Sequence, residues 1–288
     1  MGNMSHLSEL YLDRTAIKDL PIEHLTGLIK LDLRDCKNLS KFSNASCNFL
    51  SLKTLSLSGC SKIDELPENL GNIEGLEELD VSRTAIKNLP SSMIFLKNLR
   101  KLSLQQCEGL SSFPLMPRRC LDSMSMLEHT SMGLRSLTHL DLSYCNLQAI
   151  PDVLGCLLSL TNLNLIGNSF VALPESIVLL SNLTNLGLSG CTSLQSLPEL
   201  PLNITYIVAK GCTSLEALPL RGKDSFTPRL YLFNCVKLVD NQGSDYMLLT
   251  MLRRYFQVSL LFIYFLLVLL VLKPGPHDLY IAGSLKFR

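Results

Sequence analysis

The sequence repeats one short phrase ten times: leucine, two residues, leucine, one residue, leucine, two residues, and then cysteine or another small polar residue. The phrase opens, with replacements in the last two copies, at Leu7, Leu28, Leu52, Leu76, Leu99, Leu137, Leu160, Leu183, Ile204 and Thr227. Eight of the nine steps between openings are 21 to 24 residues long, and the fifth step is 38. A period this short predicts one small structural unit stacked many times.

The second and third leucines of each phrase are two residues apart, as Leu163 and Leu165 are. A short extended strand turns both to the same face, and that face must be buried. One strand cannot bury its leucines alone, but parallel neighbours about 4.8 Å apart form a continuous hydrophobic spine. The sequence therefore predicts an α/β leucine-rich-repeat solenoid of about ten repeats over residues 1–239, curved, with its strands on the concave face.

A second landmark, a large apolar residue followed by proline, comes after most strands, as in Leu66-Pro67 and Leu173-Pro174. Proline stops strand pairing and suits the first turn of a helix. The convex side is therefore expected to carry short helical or irregular segments, for example residues 174–180. An insert at residues 115–133 accounts for the one long step.

Seven of the ten cysteines fall on the last position of the phrase, where the chain leaves the strand and backbone groups need partners. Cysteine is small, tolerates burial and is a weak hydrogen-bond donor, so it suits this inward-facing position. We call the last position of each phrase the ladder position. Parallel side chains keep neighbouring Cβ atoms somewhat beyond the ~3.8 Å that a disulfide prefers, which favours a reduced ladder over a disulfide framework. We expect no zinc site, because the chain has no C-x-x-C pair.

The composition and motifs argue against nucleic-acid binding and catalysis. With 26 basic and 25 acidic residues the net charge is +1, so the chain lacks the excess of positive charge that attracts nucleic acid. His139, Asp141 and Ser143 are alternate positions of one strand and are not expected to converge on one atom as a catalytic triad must. We therefore predict no catalytic residue, cofactor or metal.

The amino-acid sequence of the repeats resembles that of a known protein family. Leu10 to Pro21 (LYLDRTAIKDLP), Leu55 to Lys62 (LSLSGCSK) and Leu186 to Leu194 (LGLSGCTSL) resemble the leucine-rich-repeat region of plant intracellular disease-resistance proteins with TIR and nucleotide-binding domains. The resemblance covers about residues 1–257. It implies a cytoplasmic protein-recognition and autoinhibitory module of an immune receptor, acting in the defence response. The implied partners are a pathogen effector, a guarded host protein or the receptor's own nucleotide-binding domain.

The chain departs from that family in two respects. It contains neither a TIR nor a nucleotide-binding domain, so the resemblance implies no NAD or nucleotide chemistry here. Residues 244–272 are expected to form a helix whose segment 258–272 carries no charge, close to the ~20 residues of a membrane span, and residues 273–288 form a short tail. The alternative interpretations are a membrane-tethered leucine-rich-repeat receptor and a non-functional truncated product.

If the solenoid binds a protein, its concave strand positions are the expected contacts, since they lie between the inward leucines. We expect a charged contact in the first half and an aromatic contact in the second. The candidate binding residues are Tyr11, Asp32, Glu77, Glu78, Asp80, Arg100, Asp141, Tyr144, Asn164, Tyr206 and Tyr231.

Overall fold

The repeats fold into one parallel sheet whose strands follow chain order. The computed structural model describes residues 7–20, 25–42, 49, 51–110, 134–218, 228–241, 280–281 and 285–286. Within these, ten three-residue strands pair each with the next. They are β1 Glu9–Tyr11, β2 Lys30–Asp32, β3 Thr54–Ser56, β4 Glu78–Asp80, β5 Lys101–Ser103, β6 His139–Asp141, β7 Asn162–Asn164, β8 Asn185–Gly187, β9 Tyr206–Val208 and β10 Arg229–Tyr231.

The strand register confirms which residues face inward. The central residue of each strand pairs with the central residue of the next, from Leu10 against Leu31 to Ile207 against Leu230. In β2 to β9 these central residues are at most 2% exposed. Leu10 and Leu230 are half-buried because each lies in a terminal strand with only one neighbour. The repeat phrase therefore predicted the parallel-strand solenoid and its leucine core correctly.

Short 3-10 helices lie between strands, as the apolar-proline pairs predicted. Each begins directly after a proline, at Glu68–Asn72, Ser91–Phe95, Asp152–Cys156 and Glu175–Leu179. Neighbouring helices are joined by serine hydroxyls: Gly71 N donates to Ser92 Oγ at 3.1 Å, and Ser176 Oγ donates to the Asp152 carbonyl at 2.7 Å. A short helix that the repeat pattern did not indicate, α1 Val236–Asn241, follows β10 and buries Leu238.

The ladder positions join each repeat to the one before it. All seven ladder thiols donate to the carbonyl oxygen of the residue that follows the preceding strand, at sulfur–oxygen distances of 3.0 to 3.2 Å. Thr15 and Thr84 instead donate to the carbonyl in their own repeat, at 2.8 and 2.7 Å. Asn168 does both, since its Nδ2 donates to Leu142 O at 2.8 Å and to Leu165 O at 2.9 Å.

None of the eight described cysteines forms a disulfide, in agreement with a reduced ladder. Burial raises the pKa of the Cys60 thiol to about 11 and that of Cys145 to about 12. Since the thiolate is the reactive form, these side chains are poor nucleophiles near neutral pH. Their role is that of small, buried hydrogen-bond donors.

The chain divides into two compact units, Met1–Ser244 and Asp245–Arg288. In the second, the described residues form one antiparallel pair, β11 Tyr280–Ile281 with β12 Leu285–Lys286, inside what the sequence indicated only as a tail. The insert at 115–133 and the expected helix at 244–272, with its apolar segment 258–272, lie outside the described residues. In the part of the chain that the structure describes, no helix has the length and hydropathy to cross a membrane.

Replacing an inward strand leucine should destabilise the solenoid far more than replacing an exposed leucine of the preceding repeat. Leu163 is 2% exposed and Leu158 is 51% exposed. We expect Leu163→Ala to lower the free energy of unfolding by about 2 to 5 kcal/mol through cavity formation, and Leu158→Ala to change it by less than about 0.5 kcal/mol. Urea unfolding followed by circular dichroism measures both, and equal losses would contradict the strand register.

The ladder thiols should resist alkylation until the protein unfolds. With their pKa values raised by burial, Cys60 and Cys145 hold almost no thiolate at pH 8. Mass spectrometry after iodoacetamide treatment at pH 8 should find both unmodified in the native chain and modified in 8 M urea. Modification of either thiol in the native chain at the rate of a model peptide would show that the ladder is not a closed, buried row.

Candidate functional site: the concave face

The concave face presents the side chains that flank each buried central residue. Because neighbouring strands are in register, equivalent positions form columns that run across the sheet about 4.8 Å apart. Strands β1 to β5 contribute mostly charged side chains to these columns. Strands β6 to β9 are weakly charged, as the sequence indicated, and contribute His139, Asp141, Asn162, Asn164, Asn185, Gly187, Tyr206 and Val208.

The charged half is paired within itself. Lys53 Nζ lies 3.0 Å from Glu77 Oε1, and Lys101 Nζ lies 2.7 Å from Glu78 Oε1, so both acids bond to cations in adjoining repeats. The hydrogen bond from Lys53 holds the pKa of the Glu77 carboxyl below its usual value. Arg100 is exposed and lies near enough to Glu77 to add to that effect. These exposed pairs are worth little to stability, typically 0 to about 1 kcal/mol each, so they remain able to exchange with a partner.

Asp32 lies at its predicted strand position, but its side chain is not exposed there. It is only 3% exposed, and Arg34 Nε donates to both of its carboxylate oxygens at 2.9 Å while the Arg34 backbone N–H donates to Oδ1 at 3.1 Å. Although burial acts to raise the pKa of this carboxyl, the bonds from Arg34 outweigh it and the pKa is lowered. The expectation of an exposed acid at Asp32 is therefore wrong. Arg34, with its side chain 54% exposed, presents the charge instead.

Three further candidates on the concave column hold the chain turn after their own strands. Asp80 Oδ1 accepts the backbone N–H of Ser82 at 3.0 Å, Asp141 Oδ1 accepts that of Ser143 at 2.9 Å, and Asn164 Oδ1 accepts that of Ile166 at 3.2 Å. Such bonds from a side chain to the backbone two residues on define an Asx turn. Asn164 Nδ2 also donates to Asp141 Oδ2 at 3.1 Å, which ties β7 to β6.

One ion pair skips a repeat. Asp35 and Arg83 lie in the second and fourth repeats, with the Arg83 Nη2 atom 3.7 Å from Asp35 Oδ1. The intervening repeat has Gly59 at the equivalent position, with φ +79°, and a Cβ there would clash with the Asp35 carboxylate. Arg83 Nη2 also donates to Ser58 Oγ of that repeat at 3.3 Å. Glycine at this position therefore lets the acid reach across its neighbour.

Tyr144 lies at the edge of the concave face, in the turn after β6, and not on a strand. It is 47% exposed, has φ 57°, and its ring covers Gly167 of the next repeat so closely that a Cβ on Gly167 would overlap the ring. The neighbouring concave positions of β7 and β8 are uncharged: Asn185 Nδ2 donates to Asn162 Oδ1 at 3.3 Å, and Asn164 lies so close to Gly187 that a Cβ on Gly187 would be 3.0 Å from Asn164 Oδ1.

At the last two repeats the concave face changes character again. Arg229 lies over the Tyr206 ring at 5.4 Å from its centroid and donates to its hydroxyl at 3.1 Å. Lys210 lies over the Phe233 ring, also at 5.4 Å. Tyr231 is half-buried between these pairs. The sequence indicated the tyrosines, but it did not single out Phe233, whose only signal is its place two residues before a ladder cysteine.

A smaller cluster of the same type lies at the first strand. Tyr11 is 50% exposed and its hydroxyl donates to Glu9 Oε2 at 2.7 Å, while Lys30 lies over its ring at 5.1 Å. The pKa of Lys30 is raised mainly by Tyr11. The carboxylates of Glu9 and Asp32 raise it further.

The described polar side chains on this face do not converge on one point as a catalytic or metal-binding site requires. Ser143 Oγ donates to Asp141 Oδ1 at 2.6 Å, whereas His139 Nδ1 lies 2.9 Å from Thr138 Oγ1 and is directed to neither. Among the described residues, no three histidine, cysteine or acidic side chains are grouped closely enough to hold a metal ion. What the face offers is a broad polar and aromatic surface on a rigid sheet.

Comparison with known proteins agrees with this geometry. The family described as "Leucine-rich repeat region" matches residues 14–133, and the family "Leucine Rich Repeat" matches residues 136–157. These two matched segments belong to the leucine-rich-repeat family. In structure it is similar to the leucine-rich repeat domain of the type III effector XopL, at a TM-score of 0.54 and 26% identity over 71% of this chain and 70% of that one.

The leucine-rich-repeat chain is similar in sequence to plant disease resistance proteins. It is 37% identical to TMV resistance protein N of Nicotiana glutinosa over 69% of this chain, and 39% identical to the Disease resistance-like protein DSC1 of Arabidopsis thaliana over 68%. It spans 17% and 15% of the length of these two relatives. The family resemblance carried by the repeats is therefore confirmed: the leucine-rich-repeat region is of the plant disease-resistance type.

The ion pair between the buried Asp32 carboxylate and the half-exposed Arg34 side chain should make stability depend on pH. Because the folded-state pKa of Asp32 is lowered, its contribution is complete above the ordinary carboxyl pKa near 3.8 and is lost as pH falls further towards the folded value. We expect Asp32→Asn to destabilise the solenoid by about 1 to 3 kcal/mol at pH 7 and by clearly less at pH 3. Asp64→Asn, at an exposed position, is the control. Equal costs of Asp32→Asn at both pH values, measured by urea unfolding, would contradict the pairing.

Proposed function

We propose that this chain is the protein-recognition module of a plant immune receptor and that it binds its partner on the concave face. The carrying observation is a ten-strand sheet whose one face holds surface ion pairs and the exposed Tyr11, with the exposed Tyr144 at its edge, in a chain similar to disease resistance proteins. A rigid element that presents such side chains is well suited to binding, because little order has to be gained on contact.

The same face suits each of the three partners that the resemblance implies: a pathogen effector, a guarded host protein, or the nucleotide-binding domain of the receptor itself. Contact with the last would make the module autoinhibitory, since it would hold the nucleotide-binding domain in its inactive state. Support for a charged contact comes from Glu77 and Glu78, whose salt bridges are solvent-exposed and can be replaced by salt bridges to a partner. Action in the cytoplasm follows from the same resemblance and belongs to this proposal.

A photo-crosslinking experiment tests concave recognition and captures whichever protein the face contacts. The full chain, expressed in leaf tissue, carries p-benzoylphenylalanine in place of Ser103 on the concave face or in place of Lys97, which is exposed beyond the 3-10 helix Ser91–Phe95. We expect discrete crosslinked proteins from position 103 and none of these from position 97.

Competition then identifies the charged contact. Unlabelled wild-type chain should suppress the crosslinks. A chain with Glu77→Lys and Glu78→Lys should suppress them about tenfold less well, because it replaces the acids of both ion pairs with lysines and so presents the opposite charge to the partner. Glu68→Lys with Glu175→Lys, in two of the 3-10 helices, is the matched control of equal charge change and should compete like wild type. Identical crosslinks from both positions, or equal competition by both double variants, would contradict concave recognition.

A further inference from the structure

Two sets of cations on the concave face have different partners. Lys30, which lies over the Tyr11 ring at the first strand and close to the carboxylates of Glu9 and Asp32, belongs to neither set. In the second to fifth repeats, Arg34, Lys53, Arg83 and Lys101 each lie within 4 Å of a carboxylate oxygen. In the ninth and tenth repeats, Lys210 and Arg229 lie on aromatic rings instead. The remaining ion pair, Lys237 with Glu216, involves neither of them. Within the described residues, Lys210 and Arg229 are thus concave cations with no carboxylate in salt-bridge contact.

The two cation–aromatic pairs are crossed. Tyr206 and Arg229 are register partners at the start of β9 and β10, whereas Lys210 and Phe233 are equivalent positions just beyond the ends of those strands. The ring belongs to the ninth repeat in the first pair and to the tenth in the second. Val208 and Tyr231 lie between the pairs and are also register partners. The result is a four-cornered surface with cations at opposite corners and an apolar and phenolic centre.

We infer that this surface binds an extended acidic segment of a protein partner, with two carboxylates on Lys210 and Arg229 and an apolar side chain over Val208 and Tyr231. The inference deepens the proposed function and rests on it. Each cation is held in place by its ring, so a carboxylate can pair with it at little further cost in side-chain entropy. Both side chains are exposed and, among the described residues, neither forms a salt bridge, so their positive charge is complementary to an acidic partner.

The spacing defines the segment. Lys210 lies four residues beyond Tyr206, so the two cations are separated by about 13 Å along the strand direction at roughly 3.3 Å per residue. An extended peptide places side chains four residues apart at the same separation, and the side chain midway between them points to the same face. A fitting segment therefore has two acidic residues four apart with an apolar residue midway. A nucleic-acid strand fits less well, because its closely spaced phosphates would meet only two cations at opposite corners.

Three fluorescein-labelled peptides test this on the full chain by anisotropy at low salt. We expect GSEGLGEGS to bind at least about fivefold more tightly than GSQGLGQGS, because only the first carries charge, and more tightly than GSGELEGSG, whose acids are two residues apart. Lys210→Gln and Arg229→Gln should each weaken binding of the first peptide at least about threefold. Lys97→Gln, an equal loss of charge away from the concave face, should leave it unchanged.

Each other outcome overturns the inference. Equal binding of the acidic and glutamine peptides would remove the role of charge, and wild-type affinity in both Lys210→Gln and Arg229→Gln would place the peptide elsewhere. Tighter binding of a nine-nucleotide oligouridylate than of GSEGLGEGS would assign the surface to nucleic acid. None of these results bears on crosslinking from position 103, so this inference can fail while concave recognition stands.

Discussion

Hydrogen bonding between neighbouring repeats is the interaction on which this molecule depends. Each strand has only three residues, too few to persist alone, and its inward leucine is covered only when a strand lies on either side. The ladder side chains strengthen the same link, since a thiol in one repeat satisfies a carbonyl in the repeat before it. Because every strand pairs in register with the next one, side chains at equivalent positions of the concave columns have the regular spacing of the backbone.

The sequence could predict this framework because burial enforces it. Two leucines separated by one residue permit one register only: a shift by one would expose Leu163 and bury Asn164. The roles of the ladder cysteines and the apolar-proline pairs could likewise be predicted from residue type and position in the repeat. These features do not depend on which side chain lies next to which, and all of them are confirmed in the described repeats.

The candidate site was less predictable, because its contacts join residues about 23 positions apart or depend on the turn after the strand. Asp32 is indistinguishable in the pattern from a solvent-facing acid, yet Arg34 draws it into a buried bond. Asp141 and Asn164 act on their own turns as well as facing outward. Whether a cation meets a carboxylate, as Lys53 does, or a ring, as Lys210 does, depends on which residue the neighbouring repeat supplies.

The ion pair from Asp35 over Gly59 to Arg83 bears on how such an array can change over time. A chain of like units invites gain and loss of whole units by recombination, and most junctions here would accept it, since the backbone is the same in each. The third unit is different. Its removal would bring Asp35 beside Arg83 directly, and its duplication would move them a further 4.8 Å or so apart. The ion pair therefore depends on the order of the second, third and fourth repeats. Loss or duplication of a repeat is expected to be less well tolerated here than elsewhere in the solenoid.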